Sequence, residues 1–365
     1  MICFCLMLSA CAPSQHHAQQ RVQPSASSTP GAQRTLIPAG SSARRSTIEP
    51  NVSTGMRGKA RSCRPHVFDE LRLKPPLRRE RQAVANAAPA ATHTYYRNVV
   101  VVLTYHDVAR RVQAETDTVS PEQFAAQIAR LQQGGFHFIS LSKLQAFLSE
   151  GAAVPSNAVC LVFDNGYRGI YRYAFPLLRR QRIPATVFLI VSYVDRLEND
   201  LTWTEIASMS HSGVFRFGTE TYNLHRAVAI DAAGDTTAAT VGRALLADGQ
   251  PETLAHYRRR VLRDLSRARR IVEAKTGQAV DTMVYPYGQY TPTLVSLAHQ
   301  AGYRYLFTTL GWVLTPGANP DRLTRLDVGV WNETPTEVVN AILTVVRDAS
   351  RGSYTPPRRY VTVWR

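Results

Sequence analysis

Val159-Cys160-Leu161-Val162-Phe163-Asp164-Asn165-Gly166-Tyr167 opens as five apolar residues and stops in an acid, an amide, a glycine and an aromatic. A short, unbroken apolar run of this kind fills a strand buried on both faces. In α/β folds, chemistry sits just past the carboxyl ends of parallel strands. A carboxylate at that point is held by a rigid strand and still faces a cleft. Asp-Asn-Gly is also an ordinary turn sequence, so the flanking chain has to decide between the two readings.

Upstream, Val99 to Thr104 reads as a strand that runs into Tyr105-His106-Asp107. Ser120-Pro121-Glu122-Gln123 opens a helix, with Ser as N-cap, Pro in the first turn and Gln placed to close a capping box. That helix carries Phe124, Ile128 and Leu131 on one face and ends at Gly134-Gly135. A short strand is expected from Phe136 to Ser140 and a helix from Leu141 to Leu148. Downstream, a helix is expected over about 170–181, a strand from Pro184 to Ile190, a helix from Trp203 to Ser210 and a strand from Val214 to Gly218. A long basic helix spans about Pro251 to Lys275. Strands at Met283–Tyr285, Tyr303–Thr308 and Leu323–Val328 alternate with helices at Pro292–Gln300 and Pro335–Val346. Strand and helix alternate about seven times, with no internal repeat. The pattern predicts an α/β domain, a distorted (β/α) barrel of about seven parallel strands.

Charge is uneven along the chain. Of 43 Lys and Arg and 27 Asp and Glu, 14 basic and four acidic residues lie before Val99, so most of the net charge of +16 belongs to the tail. A nucleic-acid-binding domain would carry its basic stripe on the folded part and interleave it with aromatics, so no nucleic-acid partner is expected. Residues 12–96, rich in Ala, Ser, Pro, Gln and Arg, read as a low-complexity basic linker. The five cysteines form no Cys-x-x-Cys pattern, and Cys160 reads as a small buried apolar residue.

The first eleven residues are too short an apolar run to span a bilayer. They resemble the end of a bacterial lipoprotein signal, with Leu8-Ser9-Ala10 before Cys11, although a positive leading region is missing. This resemblance implies a lipid on Cys11, a membrane-surface partner and a place in the cell envelope, on the periplasmic side of the outer membrane or at the cell surface. The folded domain is expected over 97–348, with 349–365 as a C-terminal tail, and the protein as a monomer.

Several strand ends carry polar groups. His106 and Asp107 follow the first strand, Asp164 and Asn165 the third. Glu220 and His225 follow the strand expected to end at Gly218. Tyr285 and Tyr287 flank Pro286. In a barrel these ends converge on one rim, and a carboxylate, an imidazole and amide oxygens are the ingredients of a hydrolytic metal site.

From about Val99 to Val345 the chain resembles the polysaccharide deacetylase family, carbohydrate esterase family 4, and within it the deacetylases of biofilm poly-β-1,6-N-acetylglucosamine. The matching segments are Leu103-Thr104-Tyr105-His106-Asp107-Val108, Phe163 to Tyr167, Gly218-Thr219-Glu220-Thr221-Tyr222-Asn223-Leu224-His225, Tyr285-Pro286-Tyr287-Gly288 and Leu323-Thr324-Arg325-Leu326. The resemblance implies Asp164 as general base, the Tyr167 N–H as part of an oxyanion hole, and Asn165, Glu220 and His225 at the three metal-ligand positions. Tyr285, Pro286 and Tyr287 would line a sugar pocket, with His106 near it. One divalent metal ion is implied, with zinc, nickel, cobalt or manganese typical. Two ligand positions depart from the family pattern, where Asn165 would be Asp and Glu220 would be His. The formal charge of the set is unchanged, but an amide and a carboxylate suit hard cations better than Zn²⁺. The family's late His motif is not found between Leu310 and Val346. The expected function is hydrolysis of N-acetyl groups on an extracellular N-acetylglucosamine polymer. The alternative is a lipid-anchored glycan-binding pseudoenzyme that keeps the cleft and has lost the reaction.

Overall fold

The computed structural model describes residues 93–352. The signal-like run ending at Cys11, nearly all of the linker, and the tail beyond 352 lie outside the described residues. The chain is already packed at Tyr96, whose hydroxyl donates to the Ala158 carbonyl at 3.0 Å.

Eight parallel strands form one curled sheet: β1 (Val100–Tyr105), β2 (His137–Ile139), β3 (Ala158–Phe163), β4 (Ala185–Ile190), β5 (Phe215–Thr221), β6 (Thr282–Val284), β7 (Tyr305–Phe307) and β8 (Leu326–Asp327). Their order is β7-β6-β5-β4-β3-β1-β8, with β2 beside the first half of β3. Helices α1 (Pro121–Gln133), α2 (Leu141–Glu150), α3 (Phe175–Gln181), α4 (Trp203–His211), α5 (Leu254–Thr276), α6 (Pro292–Gln300) and α7 (Pro335–Ser350) make the crossovers and the outer layer. The expected seven-strand path is present, and β2 is an extra partner at its side. Residues 323–327 touch both edges of the sheet. The Leu323 N–H donates to the Leu306 carbonyl at 2.9 Å, while Leu326 and Asp327 register with Leu103 and Thr104 of β1. This segment therefore draws the sheet toward a barrel.

Every residue of β1, β3 and β4 is buried, because each face meets its own apolar layer. Val159, Leu161 and Phe163 pack in the larger core with the outer helices. Cys160 and Val162 pack in a second cluster with Phe188, Val284, Phe307 and Leu323. Side chains alternate along a strand, so Thr104, Asp164, Glu220 and Arg325 continue the rows of this second cluster toward the carboxyl ends of the strands. A Cβ on Gly218 would lie 2.5 Å from the Phe188 ring, so glycine is what lets that ring close the floor beneath them.

Several boundaries differ from expectation for identifiable reasons. β5 runs on through Thr219-Glu220-Thr221, because β-branched residues flank the acid. Glu220 therefore lies inside the strand and does not follow it. The helix expected over 170–181 begins as a π-turn at Ile170–Ala174 before α3. At α1 the Ser120 hydroxyl accepts from the Gln123 N–H as expected. The Gln123 amide, however, donates to the Val330 and Glu333 carbonyls and does not close a capping box.

Candidate active site

Asp164 leaves β3 with its N–H on the Tyr105 carbonyl at 3.0 Å. Asn165 and Gly166 then take left-handed backbone angles, φ 67 and 91, which is why an Asn-Gly pair stands here. The turn is pinned to the next strand, where the Ile190 N–H donates to the Asn165 carbonyl at 3.2 Å. The Leu201 N–H donates to the Gly166 carbonyl and the Arg168 N–H to that of Asn199. None of these bonds uses the Tyr167 N–H.

Asp164 is 4 % exposed and held from below by Arg325, which is fully buried. The Arg325 Nη1 donates to both carboxylate oxygens at 2.7 and 2.9 Å, and its Nε donates to the Thr308 carbonyl at 3.0 Å. Its Nη2 is buried with no partner. Burial alone would push Arg325 down, but the Asp164 charge and hydrogen bonds hold it above its ordinary value.

Across the mouth, Glu220 is 3 % exposed. Its Oε1 lies 3.1 Å from His225 Nε2, and its Oε2 is buried without a partner. Burial pushes Glu220 above the ordinary carboxylate range, against the pull of His225. For His225, burial acts downward, but the hydrogen bond and charge of Glu220 win and the imidazole is raised. The His225 ring packs on Tyr287 at 4.6 Å between centroids. Asn165 Nδ2 approaches the Tyr167 hydroxyl at 3.4 Å.

These residues border one cavity of about 510 Å³, with His106, Asp107, Thr309 and the 115–118 loop on its other walls. The cavity gathers Asp164, Asn165, Tyr167, Glu220, His225, His106, Tyr285 and Tyr287. Pro286 is buried and not among its walls. The Tyr285 ring is fully buried, stacked on Tyr290, and its hydroxyl donates to the Asp321 carbonyl at 2.9 Å. Of the expected sugar-lining turn, Tyr287 alone offers an exposed ring, at 47 %. The sequence reading assigned no role to Arg325, which borders the cavity. The signal was an arginine two residues beyond Leu323, in a segment otherwise apolar enough to enter the sheet.

Among the described residues no group of three His, Cys, Asp or Glu side chains converges as metal ligands. The set at the expected positions is one carboxylate, one imidazole and one amide. It is compatible with a hard divalent cation. The orphaned Glu220 Oε2 is an oxygen donor without a partner. Oε1 and Nε2 also stand at about the separation of neighbouring donors around an octahedral cation. It does not match a closed zinc set.

A curled parallel (β/α) barrel with a carboxylate gripped at the carboxyl ends of its strands places the molecule in the class of polysaccharide deacetylase folds. Residues 151–306 match the polysaccharide deacetylase family model. More particularly, it is 25% identical over 227 residues to a poly-beta-1,6-N-acetyl-D-glucosamine N-deacetylase of Escherichia coli, covering 58% of this chain and 34% of that protein. The chain thus spans about a third of that relative's length. The solved structure of IcaB from Ammonifex degensii superposes with a TM-score of 0.55 at 27% identity, over 67% of this chain and 97% of that one. A de-N-acetylase from Aggregatibacter actinomycetemcomitans superposes with a TM-score of 0.61 at 24% identity, over 67% and 99%.

Proposed function

We propose that this protein hydrolyses N-acetyl groups on a poly-N-acetylglucosamine polymer. The observation that carries the reading is the Asp164–Arg325 pair at the floor of a cavity whose Asp164, Asn165, Tyr167, Glu220 and His225 walls fall within the polysaccharide deacetylase match. Arg325 orients both Asp164 oxygens from below, which leaves the carboxylate edge toward the cavity to take a proton from water. The water oxygen attacks the acetamide carbonyl carbon. The Tyr167 N–H, unspent in its turn, is positioned to receive the developing oxyanion. Collapse breaks the C–N bond, the nitrogen takes a proton, and acetate and a free sugar amine leave. His106 is the imidazole for that proton. It borders the cavity, and its buried Nδ1 has no hydrogen bond. Tyr287 offers its ring to the sugar face. A divalent cation held by Glu220, His225 and the side-chain amide oxygen of Asn165 would polarise the substrate carbonyl when bound.

The Asn165 and Glu220 positions support a second reading, a glycan binder without turnover. Incubating the protein with N-acetylglucosamine oligomers and divalent cations, then assaying free amines, separates the two. Amine release supports the hydrolase. Release that appears only in Asn165→Asp with Glu220→His makes the present chain a binder. The cell-envelope placement through Cys11 belongs to the same proposal, and metabolic lipid labelling of the expressed chain, lost in Cys11→Ser, tests it.

A further inference from the structure

His225 reaches the mouth on a loop, and that loop is tied to a helix outside the sheet. β5 ends at Thr221, paired with Ile190 of β4. The next three N–H groups go to side chains. The Leu224 N–H donates to the Thr221 hydroxyl at 3.0 Å, and the Leu224 side chain is buried in the larger core. The Tyr222 and Asn223 N–H groups both donate to Asp264 of α5, at 2.8 Å to Oδ1 and 2.9 Å to Oδ2. Ser192 holds the same two residues from β4's side. Its N–H donates to the Tyr222 carbonyl at 2.8 Å and its hydroxyl to Asn223 Oδ1 at 3.0 Å. His225 is the second residue past this clamp.

α5 holds eight basic residues and two acids. An acid in that setting is expected to pair along its own helix, as Glu273 does with Arg269 at 3.1 Å. Asp264 instead gives both oxygens to the backbone of a distant loop. Burial pushes its carboxyl above the ordinary value, and the two N–H groups, Arg260 and Arg267 pull the other way. A hydrogen bond from an N–H to a carboxylate is roughly twice as strong as one between neutral groups. Two of them on successive residues fix the direction in which the chain enters Leu224 and His225. The contact they serve has little else to hold it. His225 meets Glu220 through one atom pair at 3.1 Å and Tyr287 through a ring face, and its side chain is 21% exposed. Groups that orient a metal ligand from behind cost about 10–100-fold in metal affinity when removed.

We propose that Asp264 is a positioning residue, which through the Tyr222 and Asn223 N–H groups sets His225 against Glu220 and so prepares the cation site at the mouth. The proposal rests on the reading of Glu220, His225 and Asn165 as cation donors, and does not depend on amide hydrolysis.

The test compares the full chain with Asp264→Asn, which keeps the shape but offers one acceptor oxygen, and with Asp264→Ala. Asn157→Ala is the control. The Asn157 Oδ1 likewise accepts two successive N–H groups, those of Tyr95 and Tyr96 at 2.8 and 3.1 Å, but just before β3 begins, at the end of the sheet away from the cavity. Nitrogen-15 spectra of the histidine rings in cation-free protein, assigned with His225→Gln, read the surroundings of His225. Calorimetric titration with Mn²⁺ reads the site, and circular dichroism checks the fold. In the Asp264 variants the His225 signals should leave their native positions and Mn²⁺ affinity should fall about tenfold or more. Asn157→Ala should lower the melting temperature, since it strands buried N–H groups, and leave both readouts unchanged. Unmoved His225 signals in the Asp264 variants, native Mn²⁺ affinity in them, or an equal loss in Asn157→Ala would overturn the proposal. A native chain that binds no Mn²⁺, with His225 still displaced in the Asp264 variants alone, would support the positioning and overturn the cation reading.

Discussion

Two buried carboxylates border the same cavity, and their partners differ in kind. Asp164 is gripped by a guanidinium that is itself fully buried and anchored to the Thr308 carbonyl. Glu220 is met by an imidazole that is partly exposed, and one of its oxygens has no partner. The first pair is built into the segment that spans both sheet edges. The second is one strand residue and one loop residue, five positions further on, leaning on each other. The contrast teaches that the barrel holds Asp164 rigidly and leaves the Glu220 side of the mouth adaptable.

The largest effect should come from splitting the first pair. Arg325→Leu leaves Asp164 charged and unpaired in the core, and urea unfolding should show a loss of about 3–5 kcal/mol. Asp164→Leu with Arg325→Leu should recover most of it. A double variant no more stable than Arg325→Leu alone would mean that the pair is not the origin.

At the mouth, Asn165→Asp with Glu220→His restores the ligand set that the resemblance to the polysaccharide deacetylases implies. Calorimetric titration with Zn²⁺ should show affinity raised by about tenfold or more. Unchanged affinity would show that the departures are neutral.

A smaller effect follows from protonation. His225 is raised above the ordinary imidazole value by Glu220, so the folded state holds its proton more tightly than the unfolded one. That contribution is complete below about pH 6.5 and is lost as pH rises through the raised folded value. In chelator, His225→Gln should therefore flatten the fall in stability above pH 6.5. An identical slope in both proteins would contradict the pairing. Last, Tyr287→Ala should raise KM about 2–10-fold with little change in kcat, as for a stacking face worth about 0.5–1.5 kcal/mol.

How much of this was legible in the sequence depends on how local each signal is. The strand that ends in Asp164 was readable because six buried residues need apolar side chains on both faces. Positions 104, 106 and 164 were readable as inward-facing, since alternation carries the apolar rows of Val100 and Val102, and of Cys160 and Val162, to the mouth. Arg325 was not, because nothing near it in sequence names a partner 161 residues away. The Tyr285 ring borders the cavity, but that it is fully buried and offers no open face was not readable. Its burial depends on Tyr290 and on the Asp321 carbonyl, contacts that form only once β6 and the turn after β7 are in place. Glu220 was placed past the strand end because its flanking threonines carry no apolar signal, although they extend β5.

The most direct measurement is acetate released from an N-acetylglucosamine oligomer by the native chain and by Asp164→Asn, each supplied with the same divalent cation. The account predicts release by the native chain and a loss of about 10²–10⁴-fold in Asp164→Asn, with oligomer binding retained. Equal release by both proteins, or none from the native chain with any divalent cation, would contradict it.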